Sequence, residues 1–322
     1  YAAATDISTS TYTIGTSIND IDFNPTGAAV SVTGIAEDVL TGDNAGQTVT
    51  AIFSSSFADD DSDAFAGVAL AADSSSSLGN WEFSTDSGSS WATVSSMSPT
   101  ATTPLFLNGT AMLRFAPASN VNGDLSTLTA YYVSDSSTTD NTTSGTLTSD
   151  ISSATDVSSS TYAVSVSISD VHDEPTAANA TLAAVDENTT NPSGSTVTDL
   201  ISGFSDSDDN QTANTNGSSA DTLLGILISA DASTSTQGEW EFSTDAGSSW
   251  ANLDTISLDG TTPLYLEAAN MLRFVPATNY SSSVGSLTYY VVDNGGASTM
   301  PSAGAVFTYA AGTDISTSTY TI

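Results

Sequence analysis

The chain repeats itself at two scales, which limits it to architectures that can be laid end to end. Residues 1–14, YAAATDISTSTYTI, return at 309–322 as YAAGTDISTSTYTI, identical at 13 of 14 positions after a period of 308 residues. A window on a tandem array has this form. A more diverged copy lies inside the window. WEFSTDSGSSW from Trp81 recurs as WEFSTDAGSSW from Trp240, TTPLFLNGTAMLRFAP from Thr102 as TTPLYLEAANMLRFVP from Thr261, and YYVSD from Tyr131 as YYVVD from Tyr289. NDIDFNPT from Asn19 and SDVHDEPT from Ser169 open the two copies. This divides the chain into a unit at 19–168 and a unit at 169–322, with residues 1–18 closing a preceding repeat or donated to a neighbour.

Within each unit, short stretches rich in Val, Ile, Thr, Tyr and Phe alternate with clusters of Gly, Asn, Asp and Ser. TYAVSVSI (Thr161 to Ile168) alternates apolar and polar residues, and LTYYVV (Leu287 to Val292) is a brief apolar run; both are strand signals. Helical periodicity is almost missing. The expected fold is all-β, one antiparallel sandwich of about seven strands per unit, arranged head to tail. WEFSTDxGSSW reads as a hairpin turning through Asp86, Gly88 and Ser89. Its tryptophans, Trp81, Trp91, Trp240 and Trp250, are expected in the core, with carbohydrate stacking as the alternative. Arg114 and Arg273 are the chain's only basic residues apart from one histidine, and each is expected to anchor a structural carboxylate such as Asp86 or Asp245. TDVSSSTYAV at 155–164 is placed to close the first unit, so its copies at 5–14 and 313–322 should be closing strands as well.

Two arginines against 37 acids, with no lysine, leave a formal charge of −35. Neutralising phosphates requires cations this chain lacks, which excludes nucleic acid and anionic membrane surfaces as partners. A charge this large opposes compaction, yet 39% hydrophobic content exceeds that of a disordered acidic chain. The two are reconciled if the protein folds and gathers cations; adaptation to high salt is the other reading of the same balance. Cysteine is absent, so disulfides and thiolate metal sites are unavailable. No apolar run is long enough to span a bilayer as a helix.

The acids cluster at positions that recur. The first unit offers Asp20 and Asp22 at its opening, then Glu37 and Asp38, then Asp59, Asp60, Asp61 and Asp63, then Asp135. The second offers Asp170, Asp173 and Glu174, then Asp186 and Glu187, then Asp206, Asp208 and Asp209, then Asp293. Hard oxygen ligands in such number suit Ca²⁺, which takes six to eight oxygens in flexible geometry. A solvated acidic loop is the alternative for any one cluster; recurrence in register favours calcium.

The order of opening acids with N-P or E-P, a glutamate after the first strand, F-x-D-x-D and V-x-D resembles the calcium scheme of cadherin domains. The longer pattern, GxWEFSTDxGSSW followed by a Pro-Leu segment and LRFxPxxN, is similar to the cadherin-like and Ig-like repeats of giant bacterial surface proteins and adhesins. The likeness covers nearly all of both units, but the cadherin L-D-R-E motif is missing, DFNP or DEPT stands for the full linker, and His172 replaces Asp22. In that scheme the ions lie between successive domains. The resemblance then implies a central junction built from Glu37, Asp170, Asp173, Asp206, Asp208 and Asp293. It implies a preceding junction built from Asp20, Asp22, Asp59, Asp61 and Asp135, with Glu187 left for the next one along. It further implies an extracellular, cell-surface structural module, whose partners are neighbouring repeats and, for an adhesin, surface glycans.

Catalysis finds little support, because the single histidine lies in an opening motif and the first unit has none there. A carbohydrate-binding module is the competing function. Sequons at Asn108, Asn141, Asn179, Asn188, Asn210, Asn216 and Asn279 allow glycosylation, though a chain so rich in Ser and Thr acquires many by chance.

Overall fold

The computed structural model describes residues 10–18, 21–40, 42–75, 77–135, 143–148, 151, 154–206, 210–295, 299–306, 308, 312 and 314–322. The fold is mostly β, with short helical turns at Val49–Phe53 and Val197–Leu200. Each turn is capped by a threonine, Thr48 or Thr196, whose hydroxyl accepts from a backbone N–H three residues on.

Strands of the first unit form two sheets. One runs Val30–Ser31, Tyr162–Ser169, Gly123–Ser134, Phe65–Asp73, Leu105–Asn108, Thr146–Leu147, with Ile35–Ala36 also paired to Tyr162–Ser169. The other runs Gln47–Thr48, Met112–Pro117, Gly79–Ser84, Ala92–Thr93. Val68, Leu70, Leu128 and Val166 of the first share one core with Trp81, Phe83, Leu113 and Phe115 of the second, so the sheets pack face to face. The second unit repeats this with Leu223–Asp231, Leu264–Glu267, Leu287–Asp293 and Tyr320–Thr321 against Ser195–Thr196, Met271–Pro276, Gly238–Ser243 and Ala251–Asn252. The pairing is not purely antiparallel as expected, since Val30–Ser31 and Ile35–Ala36 run parallel to the closing strand.

The closing segment does more than add a strand. Val157 bridges Val133 on the outer face of the larger sheet, where Ala69, Phe106 and Ile151 join it in a second small core. Ser158 then exchanges hydrogen bonds with the backbone of Tyr132 before the strand Tyr162–Ser169 begins. Ile315 and Ser316 do the same against Val292 and Val291. The middle and C-terminal copies therefore both close a sheet. Of the N-terminal copy, residues 1–9 lie outside the described residues. Residues 10–18 form no strand and are exposed, with Tyr12 at 82%, Ile14 at 100% and Ile18 at 93%.

The two units differ where their sequences look most alike. Tyr132 lies opposite Val68, but the equivalent Ile226 faces Val291; Tyr289 faces Ile228, where the first unit has Ala130 opposite Leu70. The cause is one residue. Leu128-Thr129 and Leu287-Thr288 hold the same place in the sheet, and Ala130 has no counterpart before the second Tyr-Tyr pair. A one-residue slip sends each side chain to the opposite face. Tyr132 and Tyr289 are thus the inward tyrosines, and their hydroxyls donate to equivalent carbonyls, Ala28 at 2.7 Å and Ala178 at 3.0 Å.

Candidate functional site: acidic clusters at the ends of the units

In the hairpin, Trp81 and Trp240 are buried in the two cores, each with its ring edge-on to a phenylalanine. Trp91 and Trp250 are half-buried, and the guanidinium groups of Arg114 and Arg273 lie 4.0 Å above their ring centroids. The arginines anchor carboxylates, but not the expected ones. Arg114 pairs with Glu82 at 2.7 Å and Arg273 with Glu241 at 2.6 Å, their cross-strand partners in the smaller sheets. Asp86 and Asp245 instead hold the turn, accepting from Ser90 and Ser249 through backbone and hydroxyl and from Ser84 and Ser243. Those bonds hold both carboxyls down at about 2.

At the opening end of the first unit, Asp22, Asp61 and Asp63 each present a ligand atom within 4.8 Å of the others. Phe23 N–H donates to Asp61, Asp59 accepts from the backbone of Asp61 and Asp63, and Asp22 accepts from Thr155 at 2.5 Å. Asp135 is exposed and accepts from Ala64 N–H. Desolvation raises the Asp63 carboxyl, and the charges of Asp59, Asp22, Asp135 and Asp61 raise it further, so all five share one neighbourhood. Buried oxygens on Asp22 and Asp59 have no hydrogen-bond partner. Asp20 lies outside the described residues.

At the centre of the chain, Asn122 ties the units together. Its amide nitrogen lies 3.0 Å from Glu37, 2.7 Å from Asp170 and 2.8 Å from Ser218, so that its two N–H groups are shared among the three, while its own oxygen accepts from Ser218 N–H. Glu37, only 1% exposed, also accepts from Val171 N–H, and burial raises its carboxyl above the usual range. A loop of the second unit reaches back: Thr215 O accepts from Asp124 N–H, and Asn216 donates to the Asp124 carboxylate. Gly123 sits at φ +100° against Thr215, where a Cβ would come within 2.8 Å of its carbonyl oxygen.

Next to Asp170 in the chain begins the second cluster. His172 Nδ1 lies 3.1 Å from Asp221 and Nε2 3.2 Å from Asp293. Asp206 accepts from Asp221 N–H at 2.5 Å, and its charge, like that of Asp170, acts on Asp221. Burial pushes Asp293 up to about 6, with the Asp206 and Asp221 charges adding to the rise and the Gly295 N–H and His172 opposing it. Asp206 Oδ1, Asp293 Oδ2 and Glu37 Oε2 are buried without a hydrogen-bond partner. Orphaned carboxylate oxygens are costly to bury, and those of Asp206 and Asp293, near enough for the Asp206 charge to act on Asp293, fit a cation.

Of the expected central set, Glu37 and Asp170 share Asn122, while Asp206 and Asp293 lie close enough for the charge of one to act on the other. Asp173 is half-buried beside His172, Asp208 lies outside the described residues, and Glu187 is exposed at the far end of the second unit. Asp135 and Asp293 are not equivalent, because the register slip puts Asp293 where the first unit has Ser134. Asp221 and Asn122 escaped sequence reading, and Asp63, read there as one of the clustered acids, was not placed in a junction. Asp63 and Asp221 hold the same place, two residues before Phe65 and Leu223, but a longer loop after Phe204 hides the correspondence. Asn122 carries no charge to draw notice.

No protein-family model matches the chain, and no curated protein or solved structure matches it.

Proposed function

We propose that this chain is a structural repeat module of the cadherin-like kind, joined head to tail into an extracellular surface fibre or stalk, with calcium at its junctions. The observation that carries this reading is a groove. In the first unit, Val166 and Ile168 of the closing strand are buried in the core. In the second unit the strand is described at Tyr320–Thr321, and the core it joins borders a groove of about 550 Å³ along Leu182, Val185, Glu187, Trp240, Phe274 and Val284. Because 309–322 repeats 1–14, the residues that continue the strand in a following copy are Gly15, Thr16, Ser17 and Ile18. They correspond to Ser165 through Ile168, and they are exposed in this copy.

In an array, Gly15 to Ile18 of a next copy would hold the place in the second unit that Ser165 to Ile168 hold in the first, and its Asp20 would come near Glu187 as Asp170 comes near Glu37 through Asn122. Cations are needed there for the reason they are needed at the centre: clustered carboxylates repel until a positive charge lies among them, and an ion that binds only the docked form stabilises it by mass action. Against the carbohydrate-binding alternative stands the placement of the tryptophans, none of which is exposed.

The test is to extend the chain past Ile322 with the repeat's own continuation, GTSIND, beside a scrambled control. Burying the isoleucine is worth about 2 kcal/mol, so the native extension should raise the melting temperature and shift Trp240 emission to shorter wavelength. An extension no better than its scramble would overturn the reading of the groove. Small-angle scattering of a two-copy tandem with and without chelator tests the cations; a distribution of interdomain angles indifferent to chelation would remove calcium from the proposal.

A further inference from the structure

We propose that the two acidic clusters take different cations: His172, Asp206, Asp221 and Asp293 form a site for a borderline divalent ion of the zinc class, whereas Asp22, Asp61 and Asp63 form an oxygen-only site for a hard ion of the calcium class. This rests on the reading that the clusters hold junction cations, and deepens it.

The clusters are the same place twice. His172 follows Asp170 as Asp22 follows Asp20, and Asp221 matches Asp63 in the sheet. Imidazole thus stands where the first unit has a carboxylate, and the register slip adds Asp293 where the first unit has Ser134. Calcium takes oxygen, while imidazole nitrogen suits zinc and its neighbours. The ring is held as a metal-binding histidine is held. One carboxylate stands at each nitrogen, at 3.1 and 3.2 Å, so that one nitrogen can bind the ion while the other donates its N–H to a carboxylate and fixes the tautomer. His172, Asp221 and Asp293 each offer an atom within 4.8 Å of the others.

A second observation is independent of that spacing. Asp293 is 1% exposed and Asp206 is buried, and each keeps one buried oxygen with no hydrogen-bond partner. A lone imidazolium would neutralise part of the charge but cannot satisfy these oxygens. Gly295 closes the site: its N–H donates to Asp293 at 3.0 Å, and a Cβ there would strike Asp221 and crowd His172.

His172 is the chain's only histidine, so its ring signals in a nuclear magnetic resonance spectrum report this site alone. Adding Zn²⁺ to the metal-stripped 322-residue chain should shift those signals at one equivalent, and adding Ca²⁺ should leave them nearly unmoved. By calorimetry, H172D should weaken Zn²⁺ binding at least about tenfold and gain a Ca²⁺ site, while D22N with D63N should lose Ca²⁺ and keep Zn²⁺. Ring signals unmoved by Zn²⁺, or Zn²⁺ affinity unchanged in H172D, would overturn the assignment. The ring measurement needs no variant, so a misfolded H172D does not decide the matter. If neither ion alters melting or scattering in any form, the junction reading fails as a whole; if Ca²⁺ alone does so, only the zinc-class assignment falls.

Discussion

The hairpin block and the junction residues were duplicated together, yet the first is nearly the same in both units and the second is not. In the hairpins the carboxylate-to-serine bonds repeat at 2.7 and 2.8 Å and at 2.6 and 2.6 Å, and both arginines stack 4.0 Å over their tryptophans. At the junctions, Asp22 becomes His172, the single residue between Asp61 and Asp63 becomes a loop that grips Asn122, and Glu37 is buried where Glu187 is exposed. Hairpin contacts are made within a unit, so every copy needs the same residues. The contacts of Glu37, Asn122 and Asp124 with Asp170, Val171, Asn216 and Ser218 are made with the neighbouring unit, and in an array of paired units the neighbours would alternate. On the proposed assembly, junctions of two chemistries would follow one another along the fibre.

The sharpest way to break this comparison is through the cores, where the expected effects are largest. Trp81→Ala removes a fully buried side chain, with its Nε1–H bonded to Thr127, from a sandwich whose closing strand is complete. It should cost about 3–5 kcal/mol in urea unfolding, with Trp240→Ala toward the lower end because Trp240 borders the open groove. Appending the GTSIND continuation should bring the second value up to the first. Equal costs without it would mean that the groove leaves the second core unaffected.

A subtler break tests the register slip. Tyr132→Phe and Tyr289→Phe each remove a hydroxyl that donates to a backbone carbonyl, and each should cost about 1 kcal/mol. Tyr131→Phe, on the outer face, should stay within about 0.5 kcal/mol. If the two Tyr-Tyr pairs were threaded alike, as their shared letters suggest, the sensitive position would be the same member of each pair rather than the second in one and the first in the other.

That slip also shows where the sequence could be read and where it could not. Strand content, the hairpin, the buried Trp81 and Trp240 and the closing role of Tyr162–Ser169 followed from period-two patterning and turn residues, which are local. The pairing of Asp135 with Asp293 failed because matching YYV with YYV ignores the extra Ala130, and only the sheet decides which frame holds. Glu82 and Glu241 escaped as arginine partners because the contact crosses strands that lie 32 residues apart in sequence. His172 was read as a departure from a pattern, while its meaning lay in Asp221 and Asp293, which the fold brings to its two nitrogens.

The smallest expected effect concerns acid, and it sharpens the hairpin side of the comparison. Asp86 and Asp245 have carboxyls held down at about 2, chiefly by the hydroxyls of Ser90 and Ser249. A carboxyl lowered on folding contributes stability that is complete above its unfolded value near 4 and is lost as pH falls through its folded value. Both turns should therefore begin to weaken below pH 4 and give way near pH 2, together, since the same bonds hold both. Each unit carries one more lowered carboxyl: Asp124 in the first, held down by Ser167 and Asn216, and Asp259 in the second. Asp259 accepts from Thr261 and Thr262 and is also held at about 2, whereas the first unit has Thr100 there, whose hydroxyl accepts from Thr103 N–H and does not titrate in this range. Between pH 4 and pH 2 the turn at 259–262 should therefore loosen while its counterpart at 100–103 does not. Hydrogen exchange at Thr262 and Thr103, whose N–H groups donate to Asp259 and Thr100, measures this. D259T should bring the two acid responses together, and a difference that survives that substitution would show that the units diverge within their sandwiches and not only where they meet.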